Sequence, residues 1–352
     1  MSNQINPVTT QLTKVTILSS LNNQQATKNL QTILMEAKNE TIVSLVNELK
    51  GEYRKLILDK NGNYLCRDLF KICMQKERIE ILKELSPTLS DDCVDGYATF
   101  PIQTLIEYSS CEDEYKLILN SLNDYNKLLV AAIDPNGGHV IQKIIIRIPE
   151  RFRKEFNSIF ISSLDFLSKQ KYGIVSVKRF VSKTKDKETI KFILNFIKNN
   201  FMKLAGDRFE NYLIQYLLEK WNNFEEGTEI ENLVFQNFKD MIQSKYSSFV
   251  CELFVGMIFN EEKNALVESF SLNEIQYMYN NNYFANKILR LLGINHMLNN
   301  NNNINNNIMN QIQLYSQNNQ GLQNHNYYCY NNNIGYKSEL EYNPTNNKKE
   351  EK

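Results

Sequence analysis

Eight short stretches of this chain place polar, planar or basic side chains at one fixed offset. They are Thr27, Lys28 and Gln31; Asn63, Tyr64 and Arg67; Thr99, Phe100 and Gln103; and Gly138, His139 and Gln142. Then follow Ile174, Val175 and Lys178; Asn211, Tyr212 and Gln215; Ser248, Phe249 and Glu252; and Asn282, Tyr283 and Asn286. The outer members of each trio lie four residues apart, so on a helix they share a face, and the middle member projects beside them. Two side chains so placed can hydrogen-bond the polar edge of a planar ring. A flat or long neighbour can stack on the face of that ring. A nucleobase offers both an edge and a face. The two positions between are apolar in nearly every copy, as in Val140-Ile141, Leu213-Ile214 and Val250-Cys251. Those side chains anchor the helix.

The stretches begin at residues 27, 63, 99, 138, 174, 211, 248 and 282, giving steps of 36, 36, 39, 36, 37, 37 and 34. A fixed period of about 20–50 residues is the mark of a solenoid, in which each unit packs only on its neighbours. The unit around His139 predicts three helices. Leu128 to Ile133 is a short apolar run, Asp134-Pro135-Asn136-Gly137 is turn chemistry, Gly138 through Ile146 is the second helix, and Glu150 to about Leu164 is the third. In the unit before it, Ser109 and Glu112 stand at capping-box spacing. Tyr115, Ile118, Leu119 and Leu122 then make a helical apolar stripe. Trp221 is assigned to the link after the sixth stretch, as a packing residue. The fold class expected is all-α, a curved right-handed solenoid with one helix of each unit lining the inner face.

At 352 residues the chain exceeds one ordinary domain of roughly 100–200 residues, which an extended array does not need to respect. Only 12 glycines and 6 prolines are present, which favours helices over a turn-rich β fold. Residues 1–13 read as a flexible lead-in and 14–295 as the array. Residues 296–352, with asparagine runs such as Asn299 to Asn303, read as a disordered tail. The polar start carries no secretory signal, and no run approaches the about 18 apolar residues of a spanning helix. The six cysteines form no CxxC pair and read as free thiols in a reducing compartment. Net formal charge is zero, from 40 basic and 40 acidic residues. Counted to one residue past each trio, the eight stretches nonetheless carry Lys28, Arg67, Lys143, Lys178, Arg179 and Lys287 against Asp68 and Glu252, so a surface lined by them would be basic. With His139, His296 and His325 the only histidines, and no zinc spacing, phosphate loop or GxSxG, an enzyme finds no support: no catalytic residue, metal or cofactor is expected.

With eight such faces in phase, and the only acidic edge position, Glu252, in the seventh, the chain resembles the Pumilio (PUF) family of RNA-binding proteins. The resemblance covers about four fifths of the sequence. It implies a crescent-shaped array of eight three-helix repeats binding single-stranded RNA antiparallel, one base per repeat. Asn282 and Tyr283, with Asn286 one methylene shorter than the family's glutamine, then imply uracil. Ser248 and Glu252 imply guanine, and Asn211 and Gln215, with Tyr212 stacking, imply uracil: a 5′ UGU core. Ile174 and Val175 leave the base at the fifth repeat, the fourth from the 5′ end, unread, with Lys178 facing phosphate. Gly138, His139 and Gln142 imply a weak uracil preference. Thr99 with Gln103 and Phe100, and Thr27 with Gln31 and Lys28, imply adenine, while Arg67 leaves the choice at Asn63 and Tyr64 open. The resemblance further implies a cytoplasmic, monomeric regulator of mRNA 3′ untranslated regions, with deadenylase or translational-repressor proteins on the convex face and no membrane association. A helical protein-binding scaffold, and a divergent binder of structured or ribosomal RNA, are the other readings.

Overall fold

The computed structural model describes residues 12–221 and 225–294, all within one compact unit. The asparagine-rich stretch and most of the lead-in fall outside the described residues. Leu12 is buried and Thr13 caps the first helix, Lys14–Ser20, through a reciprocal box with Thr16. Among the described residues there are helices and turns and no strand.

Each of the eight stretches lies at the start of its own helix. These helices are labelled α1 (Gln24–Met35), α2 (Gly62–Ile72), α3 (Thr99–Tyr108), α4 (Gly137–Arg147), α5 (Gly173–Lys183), α6 (Asn211–Trp221), α7 (Ser247–Met257) and α8 (Tyr283–Leu291). They pack in chain order, each on the next, forming one layer. A second layer covers them: Asn39–Glu48 packs on Gln75–Leu85, which packs on Glu112–Asn120. The result is an α-solenoid. The apolar pair inside each stretch drives this arrangement. Leu65, Cys66, Val140, Ile141, Leu213, Ile214, Val250 and Cys251 are all at most 3% exposed. Burying such side chains contributes roughly 1.5–3 kcal/mol each.

Most units follow the three-helix plan. Before α6 and α7, however, single long helices, Lys187–Gly206 and Glu225–Met241, take the place of an outer pair. The sequence from 187 to 205 contains no glycine or proline to break it. Elsewhere Gly51, with φ of +83°, and Pro87 supply the interruptions. The helix expected over Glu150 to Leu164 is broken into Glu150–Phe152, Lys154–Ser162 and Leu164–Ser168. Arg153 turns inward there, donating from Nε to the Ile148 carbonyl at 2.9 Å and from Nη1 to Asn157 Oδ1 at 3.2 Å. The capping box also lies two residues later than its spacing implied. Ser109 donates its hydroxyl back to the Leu105 carbonyl, and Glu114, not Glu112, accepts from the amides of Ser110 and Cys111. Trp221 ends α6 instead of lying in a link.

A close approach fixes the residue just before several stretches. A Cβ on Gly62 or Gly137 would stand 2.7 and 2.5 Å from the carbonyl oxygens of Leu56 and Ala131, and one on Gly173 would overlap that of Leu167. Ser247 occupies the matching place before the seventh stretch, and its hydroxyl donates to the equivalent carbonyl, of Met241, at 2.6 Å. Gly138 is different: a Cβ there would meet only ordinary contacts, the nearest at 3.6 Å. Gly173→Ala is therefore expected to destabilise by about 1–3 kcal/mol. Gly138→Ala should stabilise by about 0.5–1 kcal/mol through helix propensity. Urea denaturation of the two variants checks the opposite signs.

Candidate nucleic-acid interface

The packing of α1 to α8 brings the eight trios onto consecutive helices, but their members do not share one role. The first residue is buried in all but the eighth, where Asn282 is half-buried, and the polar ones turn to the backbone. Asn211, 1% exposed, donates from Nδ2 to the carbonyls of Asp207 at 2.7 Å and Arg208 at 3.0 Å. Asn63 donates to Asp59 and Lys60 at 3.0 and 2.9 Å, Thr27 to Ser20 at 3.0 Å, and Ser248 to Lys245 at 2.8 Å. Asn282 caps α8, accepting from the amides of Phe284 and Ala285, while its Nδ2 donates to the Gln243 carbonyl at 2.9 Å. These side chains lock the turn that enters each helix.

They also aim the fifth residue. Gln215 Nε2 donates to Asn211 Oδ1 at 2.8 Å, and Gln103 Nε2 donates to the Thr99 hydroxyl at 3.1 Å. Gln142 instead donates to the Gly138 carbonyl at 3.1 Å, because no side chain stands there. Asn286 reaches back to the Tyr279 carbonyl at 2.6 Å. Gln31, Gln103, Gln142, Gln215 and Glu252 are half-buried, so the polar edge open to a ligand is carried mainly by this fifth position.

The second residue projects. Tyr212 is 38% exposed, Phe249 40% and Tyr283 79%, which separates them from core aromatics. His139 and Lys28 are exposed, and Tyr64 and Phe100 half-buried. Desolvation lowers the His139 pKa from its ordinary value. Arg67 does not extend freely: its guanidinium lies 5.9 Å from the Tyr64 ring and 5.6 Å from the Phe100 ring, between two rings of adjacent helices. In the fifth stretch Ile174 is buried and Val175 half-buried, so neither an edge nor a platform is offered there.

Neighbouring helices are cross-linked along the same face. Gln31 Nε2 donates to Asp68 Oδ2 at 2.6 Å, and Lys287 pairs with Glu252 at 2.6 Å. Lys178, whose pKa desolvation lowers, sits 5.3 Å above the Tyr216 ring. The positive excess expected for this face is thus reduced. Lys143 and Arg147 share Glu107, and Lys287 meets Glu252, while Lys28, Arg67, Lys178 and Arg179 form no ion pair among the described residues.

Other basic residues escaped the reading of the trios. Three residues before the fifth, sixth and seventh stretches stand Lys171-Tyr172, Arg208-Phe209 and Lys245-Tyr246. Each cation lies over its own neighbour's ring, at 5.0, 5.1 and 5.3 Å. Their signal was a repeated basic–aromatic dipeptide at the 37-residue spacing.

Among the described residues no three His, Cys, Asp or Glu side chains gather as a metal site, and no helix is long and apolar enough to cross a membrane. Cys66, Cys73, Cys93 and Cys251 are buried free thiols, whereas Cys111 is only partly covered. Burial raises the thiol pKa of all four, to about 12 for Cys73 and Cys93. Of these five cysteines, Cys111 is expected to be alkylated first in the native protein, as peptide mass spectrometry after iodoacetamide treatment would read.

A family model described as a Pumilio-family RNA binding repeat matches residues 132–155 and 200–226, which include the trios of α4 and α6. A Pumilio domain-containing protein of Schizosaccharomyces pombe is 28% identical over 241 residues, covering 67% of this chain and 34% of its own length. Pumilio homolog 12 of Arabidopsis thaliana is 24% identical over 235 residues, covering 65% and 38%. The chain thus spans about a third of the length of these curated relatives. Among solved structures, the Puf4 RNA binding domain bound to an HO endonuclease RNA 3′ UTR recognition sequence superposes with a TM-score of 0.73 at 21% identity, over 85% of this chain and 91% of that one. The Puf3 RNA binding domain bound to a Cox17 RNA 3′ UTR sequence gives 0.65 at 23%, over 79% and 84%. The fold, the in-phase trios and the repeat match together support a Pumilio-type RNA-binding repeat domain.

Proposed function

We propose that this protein binds single-stranded RNA along the α1–α8 face, one base to a helix, and selects a UGU core with α8, α7 and α6. The observation that carries the reading is the row of projecting rings, Tyr212, Phe249 and Tyr283, each beside a fifth-position side chain of matching chemistry. Gln215 is aimed by Asn211, and Glu252 is the one carboxylate among the eight fifth positions. A carboxylate accepts from adjacent N–H donors, a pair that guanine alone presents on its Watson–Crick edge. The α5 helix offers no reader, so selectivity weakens beyond the core.

Control of mRNA translation or decay through 3′ untranslated regions, in the cytoplasm and with repressor proteins on the outer layer, follows as the cellular role. The relatives and the bound neighbours named above support that direction. A selection from randomised RNA tests it. Enrichment of UGU supports the reading. Retained RNA without a shared UGU favours a backbone or structured-RNA binder, and no retained RNA favours a protein scaffold.

A further inference from the structure

We propose that Lys171, Arg208 and Lys245 form a rail for the phosphodiester backbone of the bound strand, an inference that rests on the single-stranded RNA reading above. The three cations occur at one register, three residues before the α5, α6 and α7 stretches, with steps of 37 and 37 residues. Those helices pack consecutively, so the cations stand on successive turns of one edge. All three are exposed. Nearby Lys169, Lys203 and Lys239 each meet a carboxylate, but Lys171, Arg208 and Lys245 form no ion pair among the described residues. What holds them is the face of the following aromatic ring, at 5.0 to 5.3 Å.

That choice of partner matters. A carboxylate would neutralise the cation, whereas a ring limits its motion and leaves its charge for an anion. The rail is also tied to the base-facing residues. Asn211 Nδ2 donates to the Arg208 carbonyl at 3.0 Å and the Ser248 hydroxyl to the Lys245 carbonyl at 2.8 Å. A strand with its bases against α6 and α7 therefore carries its phosphates within side-chain reach of these cations. The other stretches lack the pair: Lys60 is followed by Asn61, and no basic residue stands at this register before α1, α3, α4 or α8. The rail lies where the trio of α5 offers no reader and along the α7 and α6 part of the UGU core. It grips without choosing a base, since phosphate contacts position a strand and edge contacts specify it.

The test uses the full chain and two labelled RNAs that differ only in UGU against UAU. Affinity is measured across a KCl series for the wild type, K171Q/R208Q/K245Q, and a control triple, K76Q/K154Q/K187Q, on exposed outer positions. The rail triple should lower the slope of log affinity against log salt by about 2, at about 0.7 per phosphate contact on a single strand. It should leave the UGU preference intact, and each single variant should take about a third of the change. The control triple should leave the slope unchanged. An unchanged slope in the rail triple, or an equal fall in the control, overturns the proposal. A falling slope with no UGU preference in the wild type keeps the rail and removes the base code. A wild type that binds neither RNA overturns both.

Discussion

Glu252→Gln is expected to lower the preference for guanine over adenine at the second base of the core by about ten- to a hundredfold, since a good two-point contact to a base edge is worth roughly 1–3 kcal/mol of discrimination. The substitution keeps the shape of the side chain and replaces one accepting oxygen by a donor. A guanine edge that presents two donors then meets one acceptor and one donor, and a buried N–H is left unpaired. The fold should hardly notice. The Glu252 side chain is 39% exposed, and its pairing with Lys287 at 2.6 Å joins two surface groups, an arrangement whose median worth is about 0–1 kcal/mol. Lys287→Gln makes the comparison sharp. It removes the same ion pair but leaves the carboxylate, so guanine preference should persist. Fluorescence anisotropy with UGU and UAU strands reads both variants. If Lys287→Gln erased the preference and Glu252→Gln spared it, Glu252 would not be the guanine contact.

The largest expected loss of stability comes from the outer layer. Glu114 is fully buried and accepts from Arg78 Nε at 2.7 Å, and from the amides of Ser110 and Cys111 at 2.8 and 3.1 Å. Arg78, 9% exposed at its side chain, also donates to the Cys73 carbonyl at 2.8 Å. The pair therefore joins the helix after α2 to the start of the helix after α3. Glu114→Ala strands a buried guanidinium and two amides, and breaking such a pair from one side destabilises by about 3–5 kcal/mol. Because each unit of a repeat array contacts only its neighbours, the damage should be local. Hydrogen exchange should accelerate first between residues 75 and 120, before the α6–α8 end changes. The double variant Arg78→Met, Glu114→Leu should recover more than half of the loss, since an apolar pair of similar volume avoids the desolvation of both ions. A change below about 1 kcal/mol in Glu114→Ala, against that 3–5 kcal/mol expectation, would count against a structural role for the pair.

Local rules made the inner layer readable. The spacing of Asn211, Tyr212 and Gln215, and of their counterparts, placed each helix, its buried apolar pair and its projecting ring. The segment around Ser109 shows where such rules end. Ser109 and Glu112 satisfy the spacing of a capping box, and so do Cys111 and Glu114 in the fold. The difference was decided by Arg78, 36 residues away, which draws Glu114 inward. The same holds for Arg153, whose inward turn broke a helix that periodicity alone would have continued.

The sequence by itself determined the period, the all-helical class and the residue types on the face, because side chains three and four apart on a helix meet whatever surrounds them. Only the tertiary structure decided how those residues divide their work. It turned Thr99 to the Asn136 carbonyl, set Arg67 between Tyr64 and Phe100, and paired Lys287 with Glu252. Asn63, Asn211 and Ser248 reach carbonyls only three or four residues back, in the turn that enters the helix, whereas the Thr99–Asn136, Arg67–Phe100 and Lys287–Glu252 contacts run between helices about one repeat apart. A partner at that range is set by how the layers stack, which no window of local sequence contains.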